Sequence, residues 1–255
     1  DLHSFPTRRS SDLHSLIGAL SSVTELGFFE NAEKIINIPV AVITALGVVM
    51  LPRMAHILAD PGSDYQGTIR ELMNLAFMLG TSMGVGLVVV ADDAAVVLFG
   101  PAFARSGLIL RLLALTVVAS AWANVVRTQY LIPRSRDAVY IASTIGAAGL
   151  NLGLNLLLIG RLGAVGACIG TIAAEYFIMI YQSVATRRDL ETRRYLGMLA
   201  RHLLLAAVMA AAALAAGRLA ASPASRLAVS SGAYAAAFLL IHGRYLVRDF
   251  LGLRP

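Results

Sequence analysis

Apolar residues in this chain come in long uncharged runs, separated by short clusters of arginine, glycine and proline. Leu72 to Ala91 runs 20 residues without a charged side chain, and Ala138 to Gly160 runs 23. Shorter runs cover Ile35–Pro52, Leu112–Val126, Leu203–Gly217 and Leu227–Gly243, while Leu162–Thr186 is interrupted only by Glu175. A helix needs roughly 20 mainly apolar residues to cross a ~30 Å hydrocarbon layer. The shorter runs reach that length when a terminal arginine lays its stem along the helix and keeps its charge at the interface. The pattern predicts seven spans, near residues 35–55, 72–91, 107–126, 138–159, 162–184, 202–220 and 227–246. The expected fold class is all-α, a polytopic membrane helix bundle.

Composition supports that reading. Of 255 residues, 58% are hydrophobic and 14% charged, and the mean hydropathy is +0.73; a soluble domain carries about 25% charged residues. The net charge of +6 would by itself suggest nucleic acid, but no polar domain carries a basic cluster, so nucleic acid is not an expected partner. The basic residues instead fall in the loops. Cytoplasmic loops accumulate lysine and arginine. Numbering the loops alternately places thirteen of the basic residues after position 13 on one side and six on the other. The poorer side also holds Glu25, Glu30, Glu33, Asp92 and Asp93. This bias predicts a cytoplasmic C-terminus and a chain that is already outside near residue 30. The single cysteine, Cys168, lies in an apolar run and offers neither a disulfide framework nor metal-ligand spacing, so a core position is expected, with no metal and no cofactor implied.

The start of the chain fits this topology poorly. Residues 14–29 are too short and too polar to span, so they are expected to be the tail of a preceding helix, with an earlier part of the protein missing. Residues 1–13, DLHSFPTRRSSDL, read in one frame as the translation of a common short-read sequencing adapter. They lack the apolar core of a signal peptide and the amphipathic face of a membrane-surface arm. They are expected to be non-native.

Several polar or small residues inside the spans are candidates for packing or chemistry. Helices in lipid associate through small residues and interhelical hydrogen bonds. Gly80-xxx-Gly84, Gly149-xxx-Gly153 and Gly166-xxx-Gly170 are therefore expected at helix contacts. Asn151 and Asn155, four residues apart, share one helix face, either bonding to a neighbouring helix or lining a polar cavity. Glu175 is an acidic residue well inside a span, where ionised groups are costly and often functional. Arg111 and Arg127 sit near opposite ends of the third span, placed to snorkel or to meet an anionic head group. His56, His202 and His242 are scattered one per region, read as interfacial residues, and form no catalytic constellation.

Two longer words carry a family likeness. FFENAEKIINIPVAVITALGVVMLPRM (28–54) and NVVRTQYLIPRSRDAVYIASTIGAAGLNLGLN (124–155) resemble the polysaccharide-export branch of the multidrug/oligosaccharidyl-lipid/polysaccharide (MOP) exporter superfamily. The GAVGACIGT word and the following Glu175 fit as well. The likeness covers residues 14–200 and fades into alanine-rich helices beyond; Val48 stands where the family often has threonine. It implies two six-helix bundles, of which this chain would be the C-terminal one, MATE-like, plus two extra helices: residues 14–186 as bundle and 187–255 as appended helices and cytoplasmic tail. The N-terminal bundle would then be the missing partner.

The resemblance also implies a function. Such proteins move undecaprenyl-pyrophosphate-linked oligosaccharide across the bacterial cytoplasmic (inner) membrane. The implied partners are the polyprenyl pyrophosphate carrier, the bilayer and a polysaccharide polymerase or export machinery. Substrate-binding candidates are then Arg127 for pyrophosphate with Asn124 beside it, and Gln129, Asn151 and Asn155 for sugar hydroxyls; Glu175 is the ion-coupling candidate. The alternatives are a MATE-like drug or cation antiporter, and a membrane-embedded oligosaccharide ligase or acyltransferase.

Overall fold

The structure, a computed structural model, describes residues 17–18, 20–60 and 62–245. The adapter-like residues 1–13 and the first residues of the expected leading helix lie outside them. Among the described residues the regular structure is helical, and seven helices are long and apolar enough to cross a membrane. They are α1 (Val23–Ala59), α2 (Tyr65–Phe99), α3 (Arg105–Val125, continued to Leu131 by a π-helical turn), α4 (Asp137–Leu162), α5 (Ala164–Thr186), α6 (Thr192–Gly217) and α7 (Pro223–Tyr245). Each expected span corresponds to one of them.

The beginning differs from expectation. Residues 23–29 are not the tail of a separate helix but the first two turns of α1. The cause is local: Ser22 adopts an extended backbone and its hydroxyl accepts the Glu25 amide at 3.1 Å. Ser22-Val23-Thr24-Glu25 has the capping-box spacing, serine followed three residues later by glutamate, which starts a helix. From there α1 runs 37 residues, about 55 Å at 1.5 Å per residue, so it extends past the hydrocarbon. Its buried positions, Phe29, Ala32, Ile36, Pro39, Ile43, Gly47 and Met54, recur at steps of three and four, one narrow stripe with the remaining face free for lipid.

Helix α3 is the centre. Most of its apolar length is buried, whereas no more than a third of the apolar core of any other span is fully buried. It packs against α2, α1 and α5. Gly80 and Gly84 of α2 let the two backbones approach: a methyl on Gly80 would meet the Ala121 methyl at 2.8 Å, and one on Gly84 the Ala114 carbonyl at 3.1 Å. Trp122 continues the join sideways, 5.2 Å from the Phe77 ring of α2 and 6.2 Å from Tyr195 of α6. Cys168 is fully buried in this core. Helix α4 lies on α5 and touches the π turn, while α6 and α7 pair with each other and lie along α2.

The two ends of the bundle are fastened differently. At the end bearing residues 100–104, 163 and 218–222, Glu25 bonds Arg105 at 2.7 Å and accepts the Ala164 amide at 2.9 Å. It therefore caps α5 from across the bundle. This amide follows Gly163, whose φ of +57° makes the one-residue turn between α4 and α5. Asp92 takes Arg111, and Asp93 takes Arg226 at 3.0 Å. Arg111, expected to snorkel or to meet a head group, is thus paired within the protein. The other end, bearing residues 60–64, 132–136 and 187–191, is rich in arginine.

The glycine motifs divide. Gly166 and Gly170 sit in the α4–α5 contact, where a Cβ on Gly166 would meet the Leu158 carbonyl group at 2.7 Å. Gly149 and Gly153 have nothing within 4 Å and face outward, so that pair is not a packing motif here. Gly166→Ala should destabilise the chain in detergent by about 1–3 kcal/mol through overpacking. Gly149→Ala and Gly153→Ala should be neutral or stabilise by about 0.5–1 kcal/mol, since alanine replaces an unconstrained helical glycine. Thermal unfolding of the three variants in one detergent checks the contrast.

Candidate functional site

The polar end of α3 is built on a local irregularity. In the word VRTQYL the helix widens to a π turn over Val126–Leu131, with the Ile132 amide bonding back to the Arg127 carbonyl at 3.0 Å. Such turns insert a residue and re-aim the side chains around it. Here they aim in two directions. Thr128 and Gln129 face α1, with Asn124 one turn earlier: the Gln129 amide donates to the Gly47 carbonyl at 2.9 Å and to the Thr128 hydroxyl at 2.8 Å. The Asn124 amide lies where a side chain on Gly47 would stand, so glycine is needed at that position. From α2, the Tyr65 hydroxyl donates to the Gln129 carbonyl at 2.6 Å. Arg127 points the other way, half-buried, its guanidinium 5.8 Å from the Tyr140 ring centroid of α4.

Around this turn the loops are tied by arginine and tyrosine. Arg134 lies 5.0 Å from the Tyr65 ring and 5.2 Å from Tyr130. Arg136 bonds Asp189 at 2.7 Å and the Tyr130 hydroxyl at 3.3 Å, and the Asp189 carbonyl accepts Gln66 at 2.8 Å. The Tyr130 hydroxyl, and then the Arg136 guanidinium, hold the Asp189 carboxyl below the usual carboxylate range. The bridge is therefore complete above that range and weakens as pH falls through the depressed value. Arg127 and Arg134, by contrast, have no carboxylate within ion-pair distance among the described residues.

The remaining candidates lie elsewhere. Asn151 and Asn155 do share a face of α4, buried against α5, with the Asn155 amide donating to Asn151 at 2.9 Å. The Asn155 oxygen occupies the space that a side chain on Gly170 would need. Glu175 faces α3, where it accepts the Ser120 hydroxyl at 2.9 Å; beside it the Tyr176 hydroxyl donates to the Leu115 carbonyl at 3.3 Å. The six candidates thus form four separate places, Asn124 with Gln129, Arg127, the Asn151–Asn155 pair, and Glu175. An open cleft between α5 and α6 includes none of them.

One polar cluster is absent from the sequence reading. His202 and His242 are not scattered interfacial residues: they are 4% and 5% exposed, with ring centroids 5.6 Å apart. His202 also reaches the Asn74 side chain of α2 at 2.9 Å. The cluster joins α6 and α7 to α2. Only Asn74, a lone amide in an uncharged run, carried any signal in the sequence, since forty residues separate the histidines. Among the described residues no group of three His, Cys, Asp or Glu side chains is arranged to hold a metal.

With this geometry in place, comparison with known families is decisive. The model of the family described as lipid II flippase MurJ matches residues 18–230. The chain belongs to the MurJ family. A search of curated proteins found no significant match. MurJ proteins are membrane transporters of a lipid-linked precursor, not enzymes, and some buried polar groups of this MurJ-family chain fasten one helix to another. The Gln129–Gly47 bond is a packing group in this sense. Gln129→Leu should lower stability by about 1–3 kcal/mol because the buried Gly47 carbonyl loses its partner. Unfolding in detergent checks this, and unchanged stability would show that the bond contributes nothing.

Proposed function

We propose that this chain is the C-terminal bundle of a flippase that moves a polyprenyl-pyrophosphate-linked saccharide from the cytoplasmic to the outer leaflet of the bacterial cytoplasmic membrane. The MurJ family description favours lipid II, a peptidoglycan precursor, as the substrate. The FFENAEK and RTQYLIP words favour a second reading, an exported polysaccharide unit on the same carrier. Both substrates present the same physical problem, a pyrophosphate and sugars that must pass hydrocarbon where unsatisfied polar groups are costly.

The observation that carries the reading is Arg127. It is a half-buried cation at the end of the enclosed central helix, held over an aromatic ring and without a carboxylate partner among the described residues. A guanidinium left uncompensated in this way suits a pyrophosphate, which it can grip with two parallel hydrogen bonds. The amides have capacity to spare: among the described residues Gln129 Oε1, Asn151 Nδ2 and Asn155 Oδ1 have no hydrogen-bond partner. On this reading they meet sugar hydroxyls when helices within the bundle part, α1 from the end of α3 at Gly47 or α4 from α5. Asn124, which faces α1 beside Gln129 and away from Arg127, joins the amides that meet the saccharide, and Glu175 on α5 couples transport to an ion. The arginine-rich end faces the cytoplasm.

The test uses the full-length gene, completed upstream, in a strain depleted of its own flippase. The wild type should restore export of one of the two lipid-linked substrates and relieve its accumulation in the cytoplasmic leaflet. Arg127→Ala should abolish export at unchanged protein level, and Arg127→Lys should retain part of it. Export by Arg127→Ala at the wild-type rate would remove the proposed pyrophosphate contact. For orientation, alkaline phosphatase fused after Gly163 should be active and a fusion after Pro255 inactive; the reverse would invert the topology.

A further inference from the structure

The turn between α5 and α6 gathers more positive charge than the fold uses. Its two carboxylates are already engaged. Asp189 is taken by Arg136, and Glu191 by Arg70 at 3.6 Å and Arg194 at 3.4 Å. Arg187, Arg188 and Arg193 are left exposed, and none has a carboxylate within ion-pair distance among the described residues. All three border an open cleft of about 740 Å³, together with the hydroxyl-bearing Ser183 and Thr192.

The cleft also has an apolar side. Val184 lines it and is 55% exposed. Ile180, one turn earlier on α5 and on the same face, is 55% exposed as well. A cationic rim with hydroxyl donors therefore passes directly into an apolar strip that runs into the span. The cleft adjoins Thr186, the last residue of the α5 span, and the end of a span is where a helix leaves the hydrocarbon for the level of phospholipid phosphates.

We propose that this cleft binds an anionic phospholipid, its phosphate between Arg187, Arg188 and Arg193 and an acyl chain along Val184 and Ile180. A free anion would use the rim and leave the apolar strip bare. A zwitterionic lipid would bring its own cation against the arginines. Juxtamembrane arginine clusters attract anionic lipid in proportion to the charge they leave unpaired, and the ion pairs here single out which arginines those are. The site is separate from Arg127, so it stands or falls independently of the transport reading.

Binding is measured on the purified, delipidated chain in an uncharged detergent, titrated with phosphatidylglycerol, phosphatidylcholine or inorganic phosphate. Phosphatidylglycerol should bind, phosphatidylcholine should not, and inorganic phosphate should compete only weakly. Arg187→Gln/Arg188→Gln should weaken phosphatidylglycerol roughly tenfold or more. Arg161→Gln/Arg218→Gln removes equal charge at the opposite end and should leave binding unchanged. Val184→Asn should weaken the lipid but not the phosphate. Equal losses in the two double variants would mean that net charge alone attracts the lipid and would overturn the site. Equal binding of the two lipids by the unaltered chain would also overturn it, whatever the variants do. Phosphate binding as tight as the lipid would make it a plain anion site.

Discussion

The close approach of α2 and α3 is the contact from which the rest of the bundle is arranged. In lipid, burying apolar surface gives helices no advantage over tails, so association depends on packing and on hydrogen bonds. Gly80 and Gly84 remove the side chains that would hold the backbones apart, and Trp122 then reaches both Phe77 and Tyr195. With α2 fixed on one side, α1 and α5 cover the other sides of α3. The central helix can then carry Asn124, Thr128 and Gln129 at its end, because protein rather than hydrocarbon surrounds them.

That enclosure explains the division of labour among polar groups. At one end Glu25 both pairs with Arg105 and caps α5, so a single carboxylate fixes three helices. At the other, tyrosine rings and the Asp189 carboxyl hold the loop arginines. Arg127 near the π turn and Arg187, Arg188 and Arg193 at the cleft lie outside these arrangements and have positive charge to offer a ligand.

Reading the chain in one dimension worked where one dimension is enough. Span number and approximate position follow from uncharged length, and the shared face of Asn151 and Asn155 follows from helical pitch. The start of α1 was also written in the sequence, in Ser22 and Glu25, although residues 23–29 look too polar to belong to a span. What a helix face meets was not legible. Gly149-xxx-Gly153 and Gly166-xxx-Gly170 are the same motif, and only one pair has a neighbour. His202 and His242 look unrelated along the chain and lie side by side.

The sequence by itself determined that the described residues form seven apolar helices of membrane-spanning length, because the cost of burying charge in hydrocarbon is paid residue by residue and needs no partner to be counted. Its motif words likewise pointed to lipid-linked transport. Only the tertiary structure decided which polar groups are consumed. Whether Arg111 is free or paired, whether Gln129 faces a cavity or Gly47, and whether an arginine has a carboxylate within reach depend on rotations and neighbours that hydropathy does not encode. Those neighbours are set by a few close contacts between helices distant in sequence, and they separate the arginines that fasten the bundle from those left to bind something else.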